Sequence, residues 1–194
     1  MAAGARYPFT WLAGLGCAVL FMLNCVGQAQ PLETENAFKI KAAFLLNFAK
    51  YTEWPPSVFM ATNSPVRIGI LGEDPFGQVM EATVKGRLVQ ERSVVIQRGR
   101  RAEELLDCHI VYVSSSESSL TPDIVAAFKA KPTLLVGDDS DFLNRGGMIQ
   151  FRIRQGRMEF AVHLDVVRSA GLTVRSRMLD SASEVIMAKK RSKP

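Results

Sequence analysis

Between Phe38 and Pro56 the chain reads FKIKAAFLLNFAKYTEWPP, and its apolar positions recur at three- and four-residue intervals. Ile40, Phe44, Phe48 and Tyr51 make one stripe of a helix, with Phe38, Leu45 and Ala49 in a second stripe beside it. Lys39, Lys41, Asn47 and Lys50 are left for water. The pattern therefore predicts a helix from Phe38 to Trp54 that is covered on more than one side, by the core, a second subunit or a partner. Trp54 and the Pro55-Pro56 pair end it, because neither proline donates an N–H and a residue before proline is pushed out of helical geometry.

Farther on, short apolar runs alternate with helical patterns. Strands are expected at Val66 to Leu71, Val89 to Gln97, His109 to Ser114 and Thr133 to Val136. Helices are expected at about Pro75 to Val84, Glu103 to Leu106 and Pro122 to Ala130. After Gly146 the rhythm changes to two alternating arms, Met148 to Arg154 and Met158 to Leu164, joined by Gln155-Gly156-Arg157 as a β-hairpin at one edge or on a lobe. Arg152 and Arg154 share one face of the first arm, Phe151 and Ile153 the other, so that arm is half wet. A helical region from Asp165 through Val185, interrupted at Gly171, closes the chain. The fold class is α/β: a mostly parallel sheet flanked by helices, with a C-terminal β-hairpin and closing helix. No repeat or linker divides it, so residues 30–194 are expected to be a single domain.

The front of the chain changes the setting. Arg6 supplies a positive start, Trp11 to Val26 is an apolar run, and Gly27 and Ala29 offer the small residues a signal peptidase requires. Residues 1–29 are read as a cleaved signal peptide, and the chain as exported from the cytoplasm. The apolar run is short for a membrane span, and no cluster of positive charge follows it. An uncleaved anchor, or acylation at Cys25 behind an ill-suited Asn24, are the less favoured readings.

Export removes ATP and chromosomal nucleic acid from consideration. It also removes Cys17 and Cys25, leaving Cys108 as the one thiol of the mature chain, with no internal disulfide open to it. Cys108 opens an apolar run and is read as a small buried hydrophobe. The remaining chain of about 165 residues is long enough for a real core. The net charge of +5 owes much to the terminal KKRSKP, a solvated end able to hover near anionic headgroups.

Candidate chemistry is thin. Gly72-Glu73-Asp74-Pro75-Phe76-Gly77 delivers a strand to a helix start, but Asp74 is placed to cap that helix and Glu73 puts negative charge where a phosphate would sit. Asp138, Asp139 and Asp141 could hold a hard cation, and are better used as caps for a short helix from Phe142 to Arg145. His109 and His163 have no partner at metal-ligand spacing, and Ser114 to Ser119 lacks a nucleophile elbow. No catalytic residue, metal or cofactor is assigned.

The ordered set Lys41-Ala-Ala-Phe-Leu-Leu-Asn-Phe-Ala-Lys50, Glu53-Trp54-Pro55, Gly72-Glu-Asp-Pro-Phe-Gly77, Cys108-His109, Val136-Gly137-Asp138 and Arg145-Gly-Gly-Met-Ile149 resembles the YfiR-like periplasmic proteins. The resemblance runs to Ala170-Gly171-Leu172. It implies a non-enzymatic periplasmic regulator, an α/β domain often found as a dimer. It further implies repression of an inner-membrane diguanylate cyclase, or of a sensor kinase, through its periplasmic sensor domain. Release by an OmpA-like outer-membrane lipoprotein would then raise cyclic di-GMP and biofilm formation. The best-known member is held by disulfides, which a mature chain with Cys108 alone lacks.

A regulator of this kind needs an interface rather than a catalytic group. Aromatic and arginine residues near loops are the candidates for partner binding: Trp54, Phe59, Phe76, Arg152, Arg154, Arg175 and Arg177. The bland reading of the arginines is a solvated face, and of the aromatics the core. The alternative function is a periplasmic binder of a small anionic ligand that feeds a membrane sensor.

Overall fold

The computed structural model describes residues 32–187; the expected signal peptide, its cleavage point at Ala29 and the basic terminal tail lie outside the described residues. Helix α1 (Leu32–Tyr51) leads into β1 (Thr52–Glu53), β2 (Val66–Leu71), α2 (Gln78–Val84), β3 (Leu88–Val89) and β4 (Arg92–Gly99). After these come β5 (Ile110–Val113), α3 (Thr121–Ala127), β6 (Leu134–Gly137), β7 (Ile149–Arg154) and β8 (Arg157–His163). The chain closes with α4 (Leu164–Ser169), β9 (Thr173–Val174), α5 (Ser176–Asp180) and β10 (Glu184–Ile186).

Eight strands form one sheet in the order β10-β8-β7-β6-β5-β2-β4-β3. The run β4-β2-β5-β6-β7 is parallel throughout, whereas β3 and β8 join it antiparallel. Ile68, Ile70, Ile110, Val111, Leu134, Leu135 and Val136 are all buried, which is why these strands read as continuous apolar runs. The α/β architecture expected from the sequence is the one observed.

Helix α1 is the main cover of one face. Phe44 and Phe48 pack on Phe151 and Phe160 with ring centroids 5.0 to 5.9 Å apart. Phe38 meets Phe76 edge-on at 6.0 Å, and Phe76 meets Tyr112 at 4.9 Å. Each such buried side chain contributes roughly 1.5–3 kcal/mol by removal from water. Ala42, Leu45, Leu46 and Ala49 are buried as well, so the core itself covers most of the apolar circumference. Ile40 remains 44 % exposed.

Several boundaries differ from expectation for local reasons. Helix α1 stops at Tyr51 because Thr52 and Glu53 pair with Val174 and Thr173 as a two-stranded ribbon. Helix α2 begins at Gln78 rather than Pro75, since the Asp74 carboxylate accepts the Phe76 N–H at 2.7 Å and Gly77 takes φ of +51°. The expected strand from Val89 folds back on itself instead: Gln90 and Glu91, at φ +50° and +65°, turn β3 into β4. Phe142 to Arg145 forms a run of turns rather than a helix.

The largest difference lies after Gly171, at φ +75°. The expected closing helix is split into α4 and α5 by β9, and ends in β10, which pairs in parallel with β8. β-Branched Thr173, Val174, Val185 and Ile186 follow pairing partners rather than helical period. The hairpin is consequently flanked on its outer side and is not itself the sheet edge.

Candidate partner-binding cleft

Strand β7 pairs with β6 only at Val136↔Ile149 and Gly137↔Gln150. At Asp138 the chain turns away, while β7 continues to Arg154 with β8 alone beside it. A cleft of about 570 Å³ opens there. It is lined by Lys41 of α1, by Asp138 and Ser140 of the turn after β6, and by Gln150 to Arg154 and Met158 of the hairpin.

One wall is fixed by charge. Lys41 Nζ lies 2.5 Å from Asp138 Oδ2, and the Tyr112 hydroxyl donates to the same oxygen at 2.9 Å. Burial, reinforced by the Asp138 carboxylate, holds the Tyr112 hydroxyl well above the usual phenol range. Lys41 is 9 % exposed and sits 5.4 Å from the centre of the Phe38 ring. Its expected place on the water-facing side of the helix is therefore corrected: the ammonium is drawn inward by a carboxylate at the end of β6. Such a desolvated pair adds little net stability, but removing one partner strands the other.

The hairpin wall is mixed. Gln150 donates to the Asp139 carbonyl at 2.6 Å and accepts from Arg152 Nε at 3.0 Å, and Arg152 also pairs with Glu184. Arg154 stands directly opposite Arg157, both exposed and without an ion-pair partner among the described residues. Ile153, opposite Met158, is 71 % exposed. Like charges facing each other across a ladder cost stability. The cleft thus joins one cation unneutralised among the described residues, Arg154, to uncovered apolar surface at Ile153.

Only Arg152 and Arg154 of the candidate residues meet at this cleft. Trp54 is buried and donates its indole N–H to the His109 carbonyl at 3.2 Å. Phe59 stacks on the His109 ring at 4.7 Å, with the Arg92 guanidinium 3.8 Å from its centre. Phe76 is buried between Phe38 and Tyr112. Arg175 pairs with Glu53 at 2.9 Å across the β1–β9 ribbon, and exposed Arg177 lines a smaller hollow of about 190 Å³ with Tyr51 and Met178. Sequence reasoning missed Lys41, Tyr112 and Gln150, and nothing in the sequence links Lys41 to a residue 97 positions away.

The other chemistry-like groups have structural partners. Parallel sheets of this strand order open a ligand crevice where the order reverses, here between β2 and β5. That position is filled by its own loops, with Glu73 N–H bonded to Ser116 Oγ at 3.0 Å. Asp74 pairs with Arg98 at 2.7 Å, and Arg98 reaches Glu81 at 2.6 Å. Asp139 accepts the Asp141 N–H at 3.0 Å, and Asp141 binds Asn144 and Arg145. Among the described residues no three His, Cys, Asp or Glu side chains converge as metal ligands. His109 Nδ1 accepts the Arg67 N–H at 3.1 Å, and burial, with Arg67 and Arg92 nearby, lowers its pKa to about 4. Cys108 is buried, which pushes its thiol up to about 12.

Fold and cleft together define an α/β domain with a cation-lined cleft beside its β7–β8 hairpin. The chain belongs to the YfiR/HmsC-like family, whose model matches residues 38–183 and so takes in the whole lining of the cleft. That family comprises periplasmic, non-catalytic regulators of cyclic di-GMP signalling that act with membrane signalling proteins. Among the described residues no helix is long and apolar enough to cross a membrane. Among solved structures, the chain is similar to a conserved domain protein of Vibrio cholerae O1 biovar El Tor, at 9 % identity and a TM-score of 0.50 over 79 % of this chain and 60 % of that one. It is also similar to an ABC domain from Streptococcus pneumonia in complex with L-Trp, at 13 % identity and a TM-score of 0.46 over 62 % of this chain and 55 % of that one. The chain spans less than two thirds of either, and the first likeness is one of fold alone. No curated protein matches it.

Proposed function

We propose that residues 30–194, exported by a cleaved signal peptide, bind the periplasmic sensor domain of an inner-membrane signalling protein and hold it inactive. A diguanylate cyclase is the first candidate and a sensor kinase the second. Repression lowers cyclic di-GMP and biofilm formation, and an OmpA-like outer-membrane lipoprotein relieves it by sequestering the regulator, which acts as a homodimer. The observation that carries this reading is the family match over residues 38–183. The cleft supports it, because Arg154 lines it with no ion-pair partner among the described residues and Ile153 beside it is largely exposed.

Repression of this kind needs only unequal affinity for two states of the sensor. Moving a sensor from almost wholly active to almost wholly inactive takes about 5.5 kcal/mol of differential binding. A modest interface with a few well-placed charge pairs and apolar contacts supplies that order of energy. Co-purification of the exported chain with the sensor domain, and inhibition of cyclase activity in membranes by added chain, test the reading. Failure of both removes it.

A second reading has one specific observation behind it. The cleft volume of about 570 Å³ falls in the range of small-molecule sites, and Arg152 and Arg154 would favour an anion. A thermal shift with small dicarboxylates that Arg154→Ala abolishes would support this reading instead.

A further inference from the structure

We infer that the open edge of β7 at Phe151–Arg154 receives an extended acidic segment of the partner as an added strand. This rests on the regulatory reading above and names where and how the partner docks.

The His163 N–H donates to Met148 O at 2.8 Å, the bond that flanks the Ile149–Val162 pair and marks it as a non-hydrogen-bonded pair of the β7–β8 ladder. Bonded and non-bonded pairs alternate along an antiparallel ladder, so Ile153 aims its N–H and C=O away from β8. On that side the ladder with β6 has already stopped at Gln150. Neither group of Ile153 meets another partner among the described residues. An unpaired edge is a template for a further strand unless it is blunted, and this one opens into the cleft.

The side chains then specify what kind of strand. Arg152 and Arg154 project from one face of β7, Phe151 and Ile153 from the other, where Met158 lies opposite Ile153. A segment alternating carboxylate and apolar residues would match both faces in a single register. Its carboxylates would also offset the repulsion between Arg154 and Arg157.

Other occupants fit less well. The chain's own terminal Lys189-Lys190-Arg191-Ser192-Lys193 carries the wrong charge for a site walled by arginines. A second copy pairing through the same edge would bring its own Arg152 and Arg154 to those of the first. An acidic segment of the sensor domain meets neither objection.

The test uses the exported chain and the periplasmic domain of the diguanylate cyclase from the same cell. Arg154→Glu should weaken the complex at least tenfold, with the wild-type affinity falling as salt is raised. Ile153→Pro removes the edge donor at a position where proline is tolerated, and should weaken binding by a similar factor. The Ile153 amide should exchange freely in the isolated protein and slow at least tenfold in the complex. Wild-type affinity in Arg154→Glu, or an Ile153 amide that stays unprotected, overturns strand addition while the regulatory reading stands. No complex with the wild-type chain removes both.

Discussion

Lys41 on α1 and Asp138 at the end of β6 meet at 2.5 Å, with side chains only 11 % and 19 % exposed, and so lock the helix to the carboxyl ends of the sheet strands. Removing one charge leaves the other desolvated, a loss of about 3 kcal/mol or more. Lys41→Met should accordingly lower the midpoint of urea unfolding. The double variant Lys41→Met/Asp138→Leu should regain most of that loss, since a buried pair replaced by apolar groups is often neutral. Additive losses in the double variant would mean that the two groups are not coupled.

The covered faces of α1 make a second test. Phe48 is 1 % exposed and stacks against Phe151 at 5.7 Å and Phe160 at 5.0 Å. Phe48→Ala should cost about 3–5 kcal/mol in chemical denaturation. Ile40→Ala, at a half-exposed site, should change stability by no more than about 0.5 kcal/mol. If Phe48→Ala instead left the fold intact and only dissociated an oligomer, the helix would be an interface rather than a core element.

His109 sets a pH dependence with a definite sign. Its pKa in the folded chain is about 4, lowered from 6.5 chiefly by burial, then by Arg67 and Arg92. Between those values the unfolded chain binds the proton and the folded chain does not, so stability rises with pH. The contribution is complete above about pH 6.5 and is lost as pH falls toward 4, to the extent of roughly 3 kcal/mol. His109→Gln should flatten this slope in denaturation curves taken from pH 4 to 7. An unchanged slope would assign the effect to other groups.

Cys108 should be silent in the folded protein. Burial raises its thiol to about 12, and its Sγ rests 3.8 Å from Gln97 Oε1. A thiolate-seeking reagent at pH 8 should react slowly with the native chain and rapidly once it is unfolded. Fast native labelling would show that the site opens.

The parts of the fold written in local sequence were legible. Continuous apolar runs marked the buried parallel strands, and the alternation around Gln155-Gly156 marked the hairpin whose tip carries the cleft's arginines. Lys41 was illegible, because a lysine beside phenylalanines looks solvated until a carboxylate 97 residues away is brought to it. The closing segment misled for a related reason: Thr173 and Val185 sit in helix-like surroundings but find strand partners across the fold. Arg152 and Arg154 were visible as a face, whereas the open edge beside them depends on where β6 stops, and that is a property of tertiary structure.

The proposed repression of a membrane signalling protein by this chain is read most directly in cellular cyclic di-GMP. Cells lacking the chain should show a several-fold rise in cyclic di-GMP that the exported wild type reverses. Arg154→Glu, exported to the same level, should fail to reverse it. Unchanged cyclic di-GMP in cells without the chain would contradict repression of a cyclase by it.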